Sequence, residues 1–424
     1  MFKVESIHID GFWGEYQASS DFRADVNIII GKNGTGKTTF MNIMHAVLSV
    51  DVEGLFENYF KSVSITLSDG KRQRKINANR MEFESTPFPI IEYKISNKKF
   101  AIPLFGIDES RSFAPSMRRR AAEDAAQIKA ELSKMVSLAS LSVYRLGGDI
   151  DPEIRDRNQR RHLSPVDQRL GNLTQRLTQY QLELSNEART ISSDLQRDVL
   201  TSLLYTKTDP QAAGYPLKFG ANLEKQKLLS AYSQLGVSGV AITRKIQEHI
   251  IAIAKAAENL RKYTASKDGK IRASDIDFGA LDAFERTQRV VQLSLDSETK
   301  INKLFSQITL FINTLQQFIP DKEFKFESGA LIVHGKETIA LAKLSSGEKQ
   351  LLILFIEALL QRRKPFIFLA DEPELSLHIS WQRNIVSAIK SINPEAQIIV
   401  ATHSPEIAGK FRNEILDMEN IRHV

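Results

Sequence analysis

Residues 28–39 read Ile28-Ile29-Ile30-Gly31-Lys32-Asn33-Gly34-Thr35-Gly36-Lys37-Thr38-Thr39. The isoleucine run predicts a buried strand, and the residues after Thr39 predict a helix. Between them, Gly31 is followed by four residues and then by Gly36-Lys37-Thr38, which is the spacing of a phosphate-binding loop. Glycines let backbone N–H groups close around a phosphate, and the positive end of the helix dipole points at the same anion. The stretch therefore predicts a nucleotide site.

The side chains of this loop suit a triphosphate bound with a metal ion. The charge of Lys37 can neutralise the β- and γ-phosphate oxygens, and the hydroxyl of Thr38 can bind Mg²⁺. The predicted nucleotide contacts in the loop are Asn33, Gly34, Thr35, Gly36, Lys37, Thr38 and Thr39. An ordinary glycine-rich turn is the alternative, and the strand before the loop and the helix after it argue against that alternative.

The composition is that of a soluble globular protein. The chain has 424 residues, of which 42% are hydrophobic and 25% are charged, which is enough for two or three domains. Cysteine is absent, so disulfides and thiolate metal sites are excluded. The sequence contains neither a run long enough for a membrane helix nor a signal-peptide core, so we expect a cytoplasmic protein without a membrane partner. The net charge of +6 favours acidic partners only weakly.

The middle of the chain differs in pattern from its ends. Short alternating runs between residues 61 and 104 predict an antiparallel subdomain. A charged helical pattern starts at Met117 and is predicted to reach Leu141. The apolar residues of 170–199 recur at the three-and-four spacing of an amphipathic helix or short coiled coil. Further helices are predicted at 223–235, 241–263 and 281–319, and a hairpin at 323–333.

A glycine-bracketed turn with two aromatic residues, Phe12 and Trp13, is predicted at residues 10–14. Either ring could stack on a nucleotide base. Core packing is the commoner role for an aromatic residue beside a turn, and we expect it here.

A second group of motifs begins at Leu344-Ser345-Ser346-Gly347-Glu348, ahead of an apolar helix. A hydroxyl- and glycine-containing turn at a helix N-terminus suits an anion, although on its own an ordinary helix cap explains it equally well.

The apolar strand that follows ends in Asp371 and Glu372, as a Walker B strand does. Asp371 is suited to hold Mg²⁺, and Glu372 to orient and deprotonate the attacking water. A further buried strand ends in His403, which is suited to hydrogen-bond a γ-phosphate.

Taken in order, these motifs resemble those of the ABC-type ATPases of the RecF, SMC and OLD (overcoming lysogenisation defect) group. Residues 31–38 match Walker A, residues 344–348 resemble the LSGGQ signature with Ser346 in place of its first glycine, and residues 366–372 match Walker B. Residues 374–378 are similar to the D-loop of the OLD-like branch, and His403 falls on the switch histidine. The resemblance implies ATP and Mg²⁺ as cofactors.

In that family two ATPase heads bind head to tail, and the signature of one completes the ATP site of the other. The resemblance therefore implies a homodimer or higher oligomer in which Ser345, Ser346, Gly347 and Glu348 contact the nucleotide of another copy. The family's Q-loop glutamine is not placed, because Gln127 and the strand at 141–145 are both plausible positions.

The resulting fold class is α/β: an ABC-type P-loop ATPase head, with a mixed sheet and an antiparallel β-subdomain, that carries a large helical or short coiled-coil insertion. The predicted domains are residues 1–106 for the N-terminal part of the head, 107–320 for the helical insertion and 321–424 for the C-terminal part of the head. Because the chain stops about twenty residues beyond His403, we expect no TOPRIM nuclease domain of the OLD type.

The leading functional hypothesis is an ATP-hydrolysing sensor or scaffold subunit of an anti-phage defence system that holds and releases or activates a separate nuclease or toxin. The sequence resembles stand-alone ATPase subunits of the PARIS and Septu systems. The alternative is a RecF-like clamp on duplex DNA, for which three basic clusters argue. These clusters are Lys71-Arg72-Arg74-Lys75, Arg118-Arg119-Arg120 and Arg155-Arg157-Arg160-Arg161. A transporter subunit is disfavoured, because such subunits lack a helical insertion of this kind.

Overall fold

The computed structural model describes residues 1–82, 88–104, 115–142, 164–202, 219–265 and 272–423. The chain divides into two compact units, one of Met1–Gln179 with Gln307–Val424 and the other of Tyr180–Ser306. The first unit contains the strands together with several helices, and the second is helical.

The strands fall into an N-terminal and a C-terminal group. The first group is β1 (Lys3–Phe12), β2 (Tyr16–Asp21), β3 (Val26–Ile30), β4 (Ser62–Ser68), β5 (Gln73–Met81), β6 (Ile90–Ile95), β7 (Lys98–Pro103) and β8 (Leu138–Ser142). The second group is β9 (Glu323–Glu327), β10 (Ala330–His334), β11 (Thr338–Ile339), β12 (Phe366–Asp371), β13 (Ala396–Ala401), β14 (Ile415–Asp417) and β15 (Arg422–His423).

The helices of the first half are α1 (Lys37–Ser49), α2 (Val52–Glu57), α3 (Pro115–Ser133), α4 (Pro165–Ser202), α5 (Ala221–Gln234) and α6 (Val240–Ala265). Those of the second half are α7 (Phe278–Phe318), α8 (Ser346–Leu360), α9 (Ile379–Gln382), α10 (Ile385–Ile392), α11 (Pro405–Gly409) and α12 (Met418–Ile421). Among the described residues, no helix is both long and apolar enough to cross a membrane.

Two larger sheets form the first unit in the described part of the chain. Seven strands in the order β15-β2-β1-β4-β5-β6-β7 form an antiparallel sheet, which confirms the predicted antiparallel subdomain. Five strands in the order β14-β3-β13-β12-β8 form a parallel sheet. Both β12 and β13 are buried along their whole length, as expected for strands covered on two faces.

The register of the parallel sheet brings the ends of three strands together. Asp371 at the end of β12 pairs with Ala401 at the end of β13, and Ala401 pairs with Ile29 near the end of β3. Because ligands of parallel sheets bind at the carboxyl ends of the strands, this edge is where the loops after β3, β12 and β13 can form one site.

Helix α1 joins the two sheets through a common core. Phe40, Met44 and Val47, at the i, i+4 and i+7 positions of one helix face, belong to the same buried cluster as Ile65 of the antiparallel sheet and Leu369 of the parallel sheet. The start of α1, which carries Lys37 and Thr38, is thereby fixed relative to β12.

The helical unit has cores of its own. Leu228 of α5, Ile246 and Ile250 of α6 and Val291 of α7 form one buried cluster. The helices predicted from residue 170 onward are all present, with boundaries that differ by a few residues. The hairpin predicted at 323–333 is present as β9 and β10.

Two predictions of local structure are wrong. The helical pattern predicted to reach Leu141 ends at Ser133, and β8 follows as an edge strand of the parallel sheet beside β12. A short run of small and apolar residues does not distinguish strand from helix by its periodicity. The turn predicted at residues 10–14 starts later than expected, because β1 continues through an irregularity in its pairing to Phe12.

Candidate functional site

The phosphate-binding loop lies between the end of β3 and the start of α1. Lys37 is buried, and its Nζ donates hydrogen bonds to the carbonyl oxygens of Gly31 at 2.8 Å and Lys32 at 3.1 Å. Burial lowers the pKa of Lys37, and the nearby charges of Glu372, Asp371 and Glu374 act in the opposite direction. The ammonium group is therefore hydrogen-bonded to the backbone of the loop and interacts electrostatically with the Walker B carboxylates.

Gly36 has two independent reasons to be glycine. Its φ is +101°, in the left-handed region that residues with a side chain rarely adopt. A Cβ atom there would lie 2.8 Å from Cζ of Phe12, so the ring of Phe12 occupies the space that a side chain would need. The loop thus closes tightly against the end of β1.

Asp371 lies at the end of β12 and is 5% exposed. The nearby Thr38 hydroxyl acts to lower its pKa, and among the described residues its Oδ1 has no hydrogen-bond partner. Burial is the main cause that raises the pKa of Asp371, the charges of Glu372 and Glu374 raise it further, and Thr38 and Lys37 oppose them. A buried, unpaired carboxylate oxygen beside a threonine hydroxyl fits a divalent cation, because hard cations bind oxygen ligands.

Glu372 and His403 are side by side at the same edge of the sheet. Oε1 of Glu372 is 3.5 Å from Nε2 of His403, and both side chains are partly exposed. The backbone of Glu372 has a φ of +47°, a conformation that costs a non-glycine residue roughly 1–2 kcal/mol. Its N–H donates to the carbonyl of Ala401 at 2.8 Å, which ties the turn after β12 to the end of β13. Strain of this kind is common at functional sites.

Glu374, which the sequence places only in the D-loop-like segment, has an extensive set of contacts with the loop after β13. Its Oε1 accepts hydrogen bonds from Oγ1 of Thr402 at 2.6 Å, from N of His403 at 3.0 Å and from N of Ser404 at 3.1 Å. Its Oε2 is buried without a hydrogen-bond partner in the described part of the chain. Sequence reasoning did not predict these contacts, since nothing in the motif spacing links residue 374 to residues 402–404.

The signature residues cap helix α8. Ser345 is the N-cap: its Oγ accepts from N of Glu348 at 3.3 Å, and a carboxylate oxygen of Glu348 accepts from N of Ser345 at 2.8 Å. Glu348 also forms an ion pair with Lys322. Both carboxylate oxygens of Glu348 are therefore engaged within the chain, whereas Ser345 and Ser346 are exposed. The predicted nucleotide contact of Glu348 stays a prediction, with helix capping as its observed role.

Gly347 packs the signature helix against the D-loop-like segment. A Cβ atom at Gly347 would lie 2.5 Å from the carbonyl oxygen of Ser376 and 3.4 Å from the ring of Trp381. In addition, Nε2 of Gln350 donates to the carbonyl of Pro373 at 3.2 Å. The start of α8 is thus in contact with the chain that follows Glu372.

The two aromatic residues beside the loop behave differently. Phe12 is fully buried, as expected, but Trp13 is 42% exposed, so the expectation of core packing is wrong for Trp13. The Trp13 ring stacks on Phe12 with centroids 5.0 Å apart, and its Nε1 donates to Oγ1 of Thr39 at 3.3 Å. The Arg422 guanidinium lies 5.7 Å from the centre of the same ring.

A cavity of about 590 Å³ lies between the phosphate-binding loop and the loop after β13. Its lining includes Gly31, Lys32 and His403, with Arg412 and Glu419 on the C-terminal side. The structure thus brings the predicted loop residues, Walker B residues and switch histidine to one edge of the parallel sheet, while the signature residues lie at the start of α8.

The candidate Q-loop positions give less information. Gln127 is exposed on α3, and the second candidate, the strand at 141–145, is described only to residue 142. The Q-loop therefore stays unplaced.

Comparison with known proteins places these features in a class. The family described as "AAA domain, putative AbiEii toxin, Type IV TA system" matches residues 232–409, a range that includes the signature, Walker B and His403 but not the phosphate-binding loop. The "Retron Ec83 probable ATPase" of Escherichia coli is 29% identical over 143 residues, which is 29% of this chain and 25% of that protein. The "Retron Vc95 probable ATPase" of Vibrio cholerae serotype O1 biovar El Tor is 22% identical over 422 residues, which is 93% of this chain and 69% of that protein.

Solved structures with a similar course of the chain are Smc head domains. One, from Pyrococcus furiosus, has an extended coiled coil and is bound to the C-terminal domain of ScpA; its TM-score is 0.44 at 15% identity, with 98% of this chain and 93% of that chain covered. Another, from Pyrococcus yayanosii, has a coiled coil and joint; its TM-score is 0.43 at 15% identity, with 98% and 95% covered.

The parallel sheet, the phosphate-binding loop at its edge, the antiparallel sheet and the helical segment define an ABC-type P-loop ATPase head with a helical insertion, as predicted. The chain is similar to the two retron ATPases and spans 25% of the length of the first and 69% of the length of the second.

Proposed function

We propose that the chain binds ATP with Mg²⁺ at the edge formed by β3, β12 and β13 and hydrolyses it. The observation that carries this proposal is the buried, unpaired Oδ1 of Asp371 beside Thr38 and within the field of Lys37. Within the described residues, no group of three or more His, Asp or Glu side chains could hold a metal ion. Mg²⁺ would therefore take two ligands from Thr38 and Asp371 and the rest from phosphate oxygens and water, which is its usual coordination at a nucleotide.

Each remaining side chain has a role that its position suits. The N–H groups of residues 33–39 and the ammonium of Lys37 bind the phosphates. A metal ion held by Thr38 and Asp371 would supply positive charge to the phosphoryl oxygens. Glu372 accepts the proton of the attacking water. His403, whose Nε2 is 3.5 Å from Glu372, donates a hydrogen bond to the γ-phosphate and keeps the carboxylate oriented.

A second copy of the chain would complete the site. Ser345 and Ser346 are exposed at the N-terminus of α8, where their hydroxyls and the helix dipole are available to an anion on another molecule. Leu375 and Ile379 are exposed apolar side chains of the segment whose Ser376 and Trp381 lie against Gly347. We therefore propose a head-to-tail homodimer, or a higher oligomer built from it.

The proposed biological role is that of an ATPase subunit in an anti-phage defence system that holds a separate nuclease or toxin. Its support is the similarity to two retron ATPases, and assignment to a PARIS-like or Septu-like system is part of the same proposal.

The test of this role is co-purification of the tagged chain with the products of its neighbouring genes. We expect wild-type protein to turn over ATP, and the Glu372→Gln variant, which should retain ATP, to retain an effector protein. Lys37→Ala is the control, since its weakened nucleotide binding should leave it with less retained effector than Glu372→Gln. If Glu372→Gln carries bound ATP and still retains none of the neighbouring products, the role as an effector-holding subunit is wrong.

The second candidate function is a clamp on duplex DNA. Lys71, Arg72, Arg74 and Lys75 are exposed around the start of β5, although Arg72 is paired with Asp69 at 3.0 Å. Arg119 and Arg120 of the second basic cluster are also exposed, and the third cluster lies outside the described residues. Duplex binding that weakens steeply with salt, together with no retained effector, would favour this function.

A further inference from the structure

One side chain, that of Glu374, makes three hydrogen bonds to the loop after β13. Thr402 and Ser404, on either side of His403, are 1% and 8% exposed, whereas the His403 side chain is 36% exposed. The backbone on both sides of the histidine is thus fixed in the protein interior, and the imidazole projects from it toward Glu372. The orientation of the imidazole depends on what fixes that backbone.

Glu374 provides three of the contacts that fix it. A single oxygen, Oε1, accepts from the Thr402 hydroxyl and from the consecutive backbone N–H groups of His403 and Ser404, at 2.6, 3.0 and 3.1 Å. An ionised carboxylate is an acceptor only, and its hydrogen bonds to backbone N–H groups are stronger than those of a neutral acceptor. Without Glu374, the N–H of His403 would lose this acceptor, whereas the N–H of Ser404 would keep Oγ1 of Thr402, which accepts from it at 2.9 Å.

The segment that carries Glu374 is itself anchored. Gln382 accepts a hydrogen bond from Oγ of Ser404 at 2.7 Å and donates from Nε2 to the carbonyl of Leu377 at 3.1 Å. The stretch 374–382 is therefore joined to residues 402–404 at both of its ends, through Glu374 and through Gln382. A displacement of that segment would carry the histidine with it.

We infer that Glu374 is a positioning residue, which holds the backbone of His403 so that the imidazole meets Glu372 and the γ-phosphate. The inference rests on the proposed ATP hydrolysis, but it gives Glu374 neither a ligand nor a proton to carry. Among the described residues, Oε2 of Glu374 accepts no hydrogen bond. The contacts with the loop of His403 therefore depend on Oε1 alone.

Substitutions at residue 374 separate this role from others. Glu374→Gln keeps an acceptor oxygen at the same distance along the side chain, so we expect kcat within about fivefold of wild type, as for exchange of a charged for a neutral hydrogen bond. Glu374→Ala removes the acceptor, and we expect kcat to fall by about tenfold or more while KM for ATP stays unchanged. A metal ligand or a catalytic base would lose its function in both variants.

The double variant tests whether Glu374 acts through His403. If it does, Glu374→Ala combined with His403→Ala should have the kcat of His403→Ala alone. Glu406→Ala is the matched control, because it removes a carboxylate close to the same loop that is paired with Arg383, and it should leave turnover unchanged. Multiplicative losses in the double variant, or a Glu374→Gln variant as inactive as Glu372→Gln, would overturn the inference.

Hydrogen exchange provides a readout that does not depend on turnover. The amide of His403 should be protected in wild type and in Glu374→Gln, and should exchange about tenfold faster or more in Glu374→Ala, with the core of the parallel sheet unchanged. The Ser404 amide also donates to Oγ1 of Thr402 at 2.9 Å, so its exchange should change less. Equal protection in Glu374→Ala overturns the inference even if no ATP is hydrolysed. Failure of the proposed function is a different result, namely no turnover by wild type despite normal protection at these amides.

Discussion

At the scale of single residues, burial and nearby charges act in opposite directions on the two ionisable groups that define the candidate site, Lys37 and Asp371. Burial disfavours the charged forms of both Lys37 and Asp371, lowering the pKa of the first and raising that of the second. Each group also stabilises the charge of the other. A triphosphate with its metal ion would bring charges of both signs into this cluster. Loss of Lys37 would leave phosphate charge unneutralised, and loss of Asp371 would leave the metal ion without a carboxylate ligand.

The residue-scale prediction concerns Lys37 and Glu372. Lys37→Ala should weaken nucleotide binding about tenfold or more, because it removes a charge-assisted contact. Glu372→Gln should keep nucleotide affinity and lower kcat by about 10² to 10⁴, the contribution of a general base. Equilibrium binding of a fluorescent ATP analogue and steady-state kinetics measure the two effects.

Lys32→Ala is the matched control for the charge of the loop. Its side chain is 85% exposed and lies 3.5 Å from Glu419, so its removal should change affinity by less than about twofold. Full ATPase activity in Glu372→Gln would refute the assignment of Glu372 as the base.

At the scale of elements, the start of α4 is fixed to the signature helix α8. Lys349 pairs with Asp167 at 2.7 Å and Arg169 pairs with Glu357 at 2.7 Å, and all four side chains are largely buried. Asp167 also accepts from Oγ of Ser164 at 2.7 Å at the beginning of the helix. The long helix that leaves the ATPase head is therefore held by the same helix that presents Ser345.

The element-scale prediction is a pH-dependent loss of stability in Asp167→Asn. The ammonium of Lys349 is the main cause that lowers the pKa of Asp167. The contribution of this ion pair to stability is therefore present above the unfolded-state pKa of about 4 and is lost as pH falls through the lower folded-state pKa. We expect a lower melting temperature than wild type at pH 7, and a smaller difference at pH 3.5.

Asp198→Asn on the same helix is the control, because that side chain is 53% exposed and its nearest cation, Arg197, is 3.9 Å away. If Asp167→Asn melts with wild type at pH 7, the pair does not stabilise the start of α4.

At the scale of the whole molecule, the proposed site needs two copies of the chain. One copy supplies Lys37 and Asp371, and the other supplies Ser345 and Ser346. Each of the two sites would contain residues of both copies. A twofold axis relates the two sites, so the dimer is closed.

The molecule-scale prediction is complementation between two inactive variants. Lys37→Ala removes the phosphate contact, and Ser346→Arg places a bulky charge on the exposed signature face. Each variant alone should be inactive. An equal mixture should regain about a quarter of wild-type turnover, because half of random dimers are mixed and each mixed dimer has one intact site of two. A mixture as inactive as its components, although sedimentation shows mixed dimers, would contradict the composite site.

The parts of the fold that were predictable depend on local patterns. The P-loop spacing, the apolar strand before Asp371 and the helical periodicity of 170–199 each lie within one segment, and the structure has the corresponding elements. The start of strand β8 was not predicted: a strand was expected at 141–145, whereas β8 begins at Leu138 within the predicted helical pattern. The run Leu138–Ser142 is stabilised by pairing with β12 rather than by its own periodicity. The exposure of Trp13 was missed because burial depends on neighbours that are distant in sequence.

The sequence by itself determined that this chain has a P-loop, a Walker B pair and a helical middle segment, because each is encoded by the order and spacing of adjacent residues. Only the tertiary structure decided that Asp371 would be left with an unpaired oxygen beside Thr38, that the carboxylate of Glu348 would be engaged within the chain, and that Glu374 would hold the loop of His403. These contacts join residues that are 26 to more than 300 positions apart, and only the register of the parallel sheet and the packing of α1 and α8 bring them within hydrogen-bonding distance.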